Sequence, residues 1–178
     1  MRVIFLSKPL TIILCFILWG VIQVTAALIS LNLPDRVYSP DGWLFRPRPF
    51  ERDGVLYEKL FRIKRWKHLL PDGASAWKQR GYLKKSLVNT TPENLRRFLV
   101  ESARGELTHW LAILPFWIFG FITPGYVVGM MLVYAVLINL PCIIAQRYNR
   151  PRIQRLLQRM EKTEALKKQG SNDAGRSW

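Results

Sequence analysis

Apolar positions in this chain gather into long blocks separated by strongly polar stretches, instead of recurring at the spacing of a soluble core. The first block, Leu10 to Leu31, carries no charge. Its roughly 22 residues, at about 1.5 Å of helical rise each, are enough to cross a hydrocarbon layer of about 30 Å. Arg2 and Lys8 precede it, and Val24-Thr25-Ala26-Ala27 lies near its end. Cleavage of residues 1–27 as a signal peptide is therefore the alternative, although the apolar run exceeds a usual signal core and favours a retained helix. Leu111 to Ile122 is shorter, interrupted by Pro115 and stopped by Thr123-Pro124-Gly125. Tyr126 to Ala145 follows without a charge, long enough for a full span, with Pro141 late in the run where a kink is expected. The shorter block reaches across only if it begins near Leu107. The pattern predicts a transmembrane hairpin over 107–145, with a re-entrant first arm as the alternative.

The polar stretches have their own periodicities. Leu56, Leu60, Ile63, Trp66 and Leu70 recur at helical spacing with Lys59, Arg62 and Arg65 to one side. This predicts an amphipathic helix over Val55–Leu70, lying in the interface or in a small cytosolic domain and ended by Pro71-Asp72-Gly73. Another helix starts near residue 92, capped by Thr90 with Glu93 or by Thr91 ahead of Pro92. After Ala145 the segment Arg147–Lys168 reads as a basic helix with Ile153, Leu156, Leu157 and Met160 as its apolar stripe. Gly, Ser and Asn from about 169 onward predict disorder. The fold class is mainly α: an N-terminal transmembrane helix or signal anchor (1–31), a basic interfacial or cytoplasmic region (32–106), the hairpin (107–145) and a basic cytoplasmic tail (146–178).

Charge sharpens the orientation. The chain has 27 Lys and Arg against 12 Asp and Glu, a net charge of +15. Such a balance suits phosphate, but apolar blocks and seven Trp suit an interfacial aromatic belt and anionic lipid headgroups better, so no nucleic-acid partner is expected. Of the cations, 2 precede the first span, 16 lie in the middle region and 9 follow Ala145. The positive-inside tendency then puts the middle region and the tail in the cytoplasm of a multi-pass plasma-membrane protein. The two cysteines, Cys15 and Cys142, sit inside apolar blocks without ligand spacing, so no disulfide, metal site or cofactor is predicted.

No nucleophile elbow, phosphate loop or His-x-x-x-x-Asp acyltransferase pattern occurs, so candidate chemistry rests on local clusters. Glu106 and His109 are three apart at the boundary of a polar helix with an apolar block. A carboxylate on the same face would orient the imidazole as a general base; the plainer reading is an interfacial histidine beside the belt residue Trp110. Arg65, Lys67, His68 and Asp72 combine cations with a Pro-Asp-Gly turn and could clamp a phosphate, or could simply end a helix. Arg147, Asn149 and Arg150 follow the last span and read as a further candidate binding cluster or as a positive-inside flank.

Taken together, Arg65-Trp66-Lys67-His68 with Asp72-Gly73, Glu106-Leu107-Thr108-His109-Trp110 with Ile113-Leu114-Pro115, and Gln146 to Arg152 resemble the glycosyl-4,4'-diaponeurosporenoate acyltransferase family, over about residues 10 to 160. Departures are Ser102-Ala103-Arg104-Gly105, smaller and less basic than the family pattern, and a longer tail past 160. The resemblance implies a membrane enzyme that esterifies a sugar hydroxyl of a glycosylated C30 carotenoid acid with a fatty acyl group. The implied donor is acyl-CoA or acyl carrier protein, as in staphyloxanthin-type pigment synthesis. Acyl transfer to another glycolipid, and a non-catalytic basic membrane adaptor, are the competing readings.

Overall fold

The computed structural model describes residues 3–40, 42–70 and 91–176. It is mainly helical, with no strand among the described residues. Four α-helices are described: α1 (Lys8–Asn32), α2 (Val55–Phe61), α3 (Pro92–Ile113) and α4 (Gly125–Arg176), joined by short 3-10 segments. Two of them, α1 and α4 over Gly125–Lys167, are long and apolar enough to cross a membrane. The chain divides into two compact units, one of Met1–Val37 with Ala103–Gln146 and one of Tyr38–Ser102 with Arg147–Trp178. Helices α3 and α4 each contribute to both.

In the first unit three segments lie side by side. Val3 and Ile4 donate backbone N–H groups to the Phe121 carbonyl at 2.9 and 3.0 Å, while Arg104 pairs with Asp35 at 2.5 Å. The segment from Ala103 to Phe121 therefore runs antiparallel to α1 and matches its length. It is antiparallel to α4 as well, because His109 meets Asn139 and Gly105 faces Gln146. A Cβ at residue 105 would lie 3.4 Å from the Gln146 amide nitrogen, so glycine permits the close approach there. Helices α1 and α4 are consequently parallel, and Asn32 and Gln146 leave the unit at the same end.

The first arm of the expected hairpin is not one α-helix. After α3 ends, Leu114–Phe121 continues in 3-10 turns interrupted by a kink at Pro115, whose φ −81°, ψ 17° is not helical. Proline lacks the N–H that α-helical bonding needs and its ring crowds the carbonyl four residues back. Trp19 is central to the packing, its ring 6.1 Å from Phe119 and 5.1 Å from Tyr134. Around it cluster buried Cys15, Ile22, Phe119 and Ile122, then Ile113, Ala135 and Ile143. Outward, Ile12, Phe16, Ile17 and Val24 on α1 and Met130, Val133 and Leu137 on α4 are exposed. Helix α4 continues through Pro141 and Pro151 to Arg176.

In the second unit Leu95 and Leu99 of α3 are buried against Leu157 of α4, with Ile153 and Met160 beside them, and Arg96 pairs with Glu161 at 2.6 Å. Thr91 caps α3: its hydroxyl accepts the Asn94 N–H at 3.2 Å, ahead of Pro92 in the first turn. The competing Thr90 cap lies outside the described residues, as does the Pro71-Asp72-Gly73 turn.

The single helix expected over Val55–Leu70 is divided. Arg62 turns into the left-handed region (φ 48°, ψ 44°) and ends α2, and two 3-10 turns, Ile63–Arg65 and Lys67–Leu69, follow. Side chains replace the missing helical bonds. The Trp66 indole donates to the Phe61 carbonyl at 2.8 Å, and Glu58 accepts the Lys64 N–H at 3.3 Å. The turn places Ile63 in the interior. Upstream, Arg52, Asp53 and Gly54 are left-handed in succession, at φ 45°, 57° and 87°. Gly54 is required twice over, by its φ and because a Cβ would stand 3.0 Å from the Tyr148 carbonyl oxygen.

Candidate active site

In the first unit α3 carries Glu106 and His109 one turn apart. Glu106 is wholly buried, and its carboxylate oxygen accepts the indole N–H of Trp110 at 3.4 Å. The partner of the imidazole is a different residue. His109 Nδ1 lies 2.8 Å from Asn139 Oδ1, reaching across from α3 to α4. Asn139 is itself held, since its Nδ2 donates to the Ala135 carbonyl at 2.9 Å. The hydrogen bond to the imidazole is therefore made by an amide on the facing helix. Asn139 escaped the sequence reading because its partner is thirty residues away in the chain. A signal existed: it is an amide in the middle of an uncharged run, and polar groups in such runs persist where they have partners or tasks.

In the second unit the sequence-chosen cations separate into two kinds. Arg150 is 1 % exposed and donates to the carbonyls of Phe45 (2.8 Å) and Ser102 (3.2 Å), its guanidinium 5.5 Å from the Phe45 ring. Arg147 pairs with Glu51 at 2.7 Å and donates to the Leu44 carbonyl at 3.1 Å. Glu51 is also buried. It accepts from the Tyr57 hydroxyl at 2.7 Å and from the Arg48 N–H at 2.9 Å, so each oxygen has a donor. Burial, then the hydrogen bond and charge of Glu51, push the Tyr57 hydroxyl far above its ordinary range, and it serves as a neutral donor. Arg150 thus binds backbone carbonyls, and Arg147 a carboxylate and a backbone carbonyl, within the unit.

The other cations face outward. Arg65 and His68 are exposed on the 3-10 turns. Lys67 donates to Asn149 Oδ1 at 3.3 Å and stands 5.0 Å from the Tyr148 ring, over which Arg152 also lies at 3.6 Å. The structure therefore brings Lys67 to Asn149, with Arg65 and His68 on the same short stretch, and Asp72 falls outside the described residues. Glu51, which orders this unit, was not singled out from sequence. Among the described residues no group of His, Cys, Asp and Glu could hold a metal ion.

The family model of glycosyl-4,4'-diaponeurosporenoate acyltransferase matches residues 41–159, a stretch that contains Lys67, His109, Asn139 and Arg150. The chain is similar to the glycosyl-4,4'-diaponeurosporenoate acyltransferase of Staphylococcus aureus (strain USA300), 33 % identical over 147 residues, covering 83 % of this chain and 88 % of the relative. It is also similar to that of Staphylococcus haemolyticus (strain JCSC1435), 35 % identical over 147 residues, covering 82 % and 85 %. No solved structure matches. On the strength of a match that spans most of both sequences, the chain belongs to the glycosyl-4,4'-diaponeurosporenoate acyltransferase family.

Proposed function

We propose that this chain is a membrane acyltransferase of carotenoid biosynthesis, esterifying a sugar hydroxyl of glycosyl-4,4'-diaponeurosporenoate with a fatty acyl group. The observation that carries the reading is the family match, together with the acyltransferase names of relatives aligned over most of the chain. Membrane residence has separate physical support. Eight large apolar side chains of α1 between Ile12 and Ile29 are exposed by about half. Full burial of each is worth about 1.5–3 kcal/mol, so lipid around this face contributes on the order of 10 kcal/mol that water cannot. Residues 107–145 form the hairpin of this reading, and the basic segments 32–106 and 146–178 are cytoplasmic. The common exit of Asn32 and Gln146 from the first unit agrees with that topology, as does the excess of Lys and Arg.

The acyl donor is a cytoplasmic thioester, acyl-CoA or acyl carrier protein. In the first unit His109 is the general base for the acceptor hydroxyl, with Glu106 buried one turn away. In the second unit Arg65, Lys67 and His68, with Asn149, are the groups available to a phosphate of the donor. Arg147 and Arg150 keep that unit folded. Mass spectrometry of pigments and lipids from pigment-forming cells with and without the protein tests the reading. The expected result is accumulation of the non-acylated glycosyl carotenoid when the protein is missing. An acyl group lost instead from an uncoloured glycolipid changes the acceptor, and an identical lipid and pigment profile overturns the enzyme assignment.

A further inference from the structure

We infer that Asn139 is the positioning residue for His109, holding the imidazole in its Nδ1–H tautomer so that the Nε2 lone pair is the base. The inference rests on the acyltransferase reading above. A neutral imidazole carries one proton, on either nitrogen, and the partner of one nitrogen decides which. Here the partner has no choice of its own. Because Asn139 Nδ2 donates to the Ala135 carbonyl at 2.9 Å, the atom turned to His109 Nδ1 at 2.8 Å is the amide oxygen. That oxygen has no hydrogen to give, so the proton of the bond sits on Nδ1. Nε2 is left with its lone pair.

The surroundings make this arrangement stiff. Asn139 is 1 % exposed and lies in the uncharged run Tyr126 to Ala145. An amide there is expensive unless its ends are bonded, and both ends are. Water does not reach the amide to exchange with the ring. An amide also orients the imidazole without adding a charge to an apolar segment, which the expected carboxylate would have done.

The consequence for the chemistry is direct. As the sugar oxygen forms its bond to the thioester carbonyl carbon, Nε2 takes the hydroxyl proton. The C–S bond then breaks, and the leaving thiolate takes the proton back from Nε2–H. The ring returns to its neutral form and the products are an ester and a thiol. Throughout, Nδ1–H stays on Asn139 Oδ1, so the ring never has to turn between the two proton transfers.

Nitrogen-15 NMR of the full chain in detergent micelles, with labelled histidine, reads the tautomer directly; His109→Gln identifies the relevant signals. The wild-type protein at neutral pH is expected to show a protonated Nδ1 and an unprotonated Nε2 at His109. Asn139→Leu removes the acceptor and should shift the ring toward Nε2–H. It should lower kcat by about tenfold to a hundredfold while leaving both KM values within about twofold. Asn139→Asp keeps an oxygen in place and should restore the Nδ1–H signal and most of kcat. Protonated Nε2 in the neutral wild-type ring, or an Asn139→Leu enzyme with unchanged kcat beside an inactive His109→Ala, overturns the positioning role. Full activity in His109→Ala instead sinks the base reading itself, a separate outcome. If Asn139→Leu fails to fold, the wild-type tautomer and the Asn139→Asp enzyme still decide the question.

Discussion

Arg150→Met tests whether a buried cation holds the fold or belongs to the proposed donor site. The guanidinium is 1 % exposed and donates to two carbonyls, Phe45 at 2.8 Å and Ser102 at 3.2 Å. Methionine fills much of the volume but donates nothing, so both carbonyls lose a charged donor in the interior. Hydrogen bonds to charged groups contribute about 1.5–3 kcal/mol each. Relief from burying the cation itself offsets part of that. A net loss of about 3 kcal/mol is expected, which for a chain of this length lowers Tm by about 6–12 °C. Arg65→Met, by contrast, changes an exposed side chain and should leave stability within about 0.5 kcal/mol. The assay is tryptophan fluorescence of the detergent-solubilised full chain during urea or thermal unfolding, combined with acyl transfer per folded molecule. Arg150→Met should unfold early yet keep the wild-type KM for the thioester, while Arg65→Met should raise that KM. An Arg150→Met protein with wild-type stability and a raised donor KM would refute the reasoning and return Arg150 to the donor site.

Three further substitutions probe the same architecture. Tyr57→Phe removes a hydroxyl bonded to Glu51 at 2.7 Å and should lose about 1 kcal/mol near neutral pH. Because the folded protein raises the Tyr57 pKa from 10.0, its contribution is complete below pH 10 and shrinks as pH rises beyond that. Wild type should therefore lose stability faster than Tyr57→Phe above pH 10, by up to about 1.4 kcal/mol per pH unit, measured as the difference between their unfolding curves. Arg62→Gly should stabilise by about 0.5–1 kcal/mol, since Arg62 holds φ 48° where an L side chain is strained. Were residues 55–70 one helix, the same change would destabilise by about as much, and urea midpoints tell the two apart. Thr91→Ala removes the acceptor of the Asn94 N–H and should cost about 1 kcal/mol, with Thr91→Ser retaining most of the stability.

Local patterns were legible in the sequence by itself. Uncharged runs set the lengths of α1 and of the apolar part of α4, and the Thr90 to Glu93 stretch placed the start of α3 near residue 92, because span length and helix caps depend on residues a few positions apart. Pro115 announced the end of regular α-helix for the same reason. The tertiary structure alone decided three matters. Arg62, with no glycine or proline to signal it, breaks the expected helix because the Trp66 indole and Glu58 satisfy the freed backbone groups while Ile63 is buried. Arg147 and Arg150 read as donor-binding cations, yet Glu51, ninety-six residues from Arg147, and the Phe45 carbonyl draw them into the fold. His109 was visible as a candidate base, but spacing along one helix pointed to Glu106 as its partner. Packing α3 antiparallel to α4 brings Asn139 to the ring instead, and a buried amide meets its hydrogen-bonding needs only where two helices supply both partners.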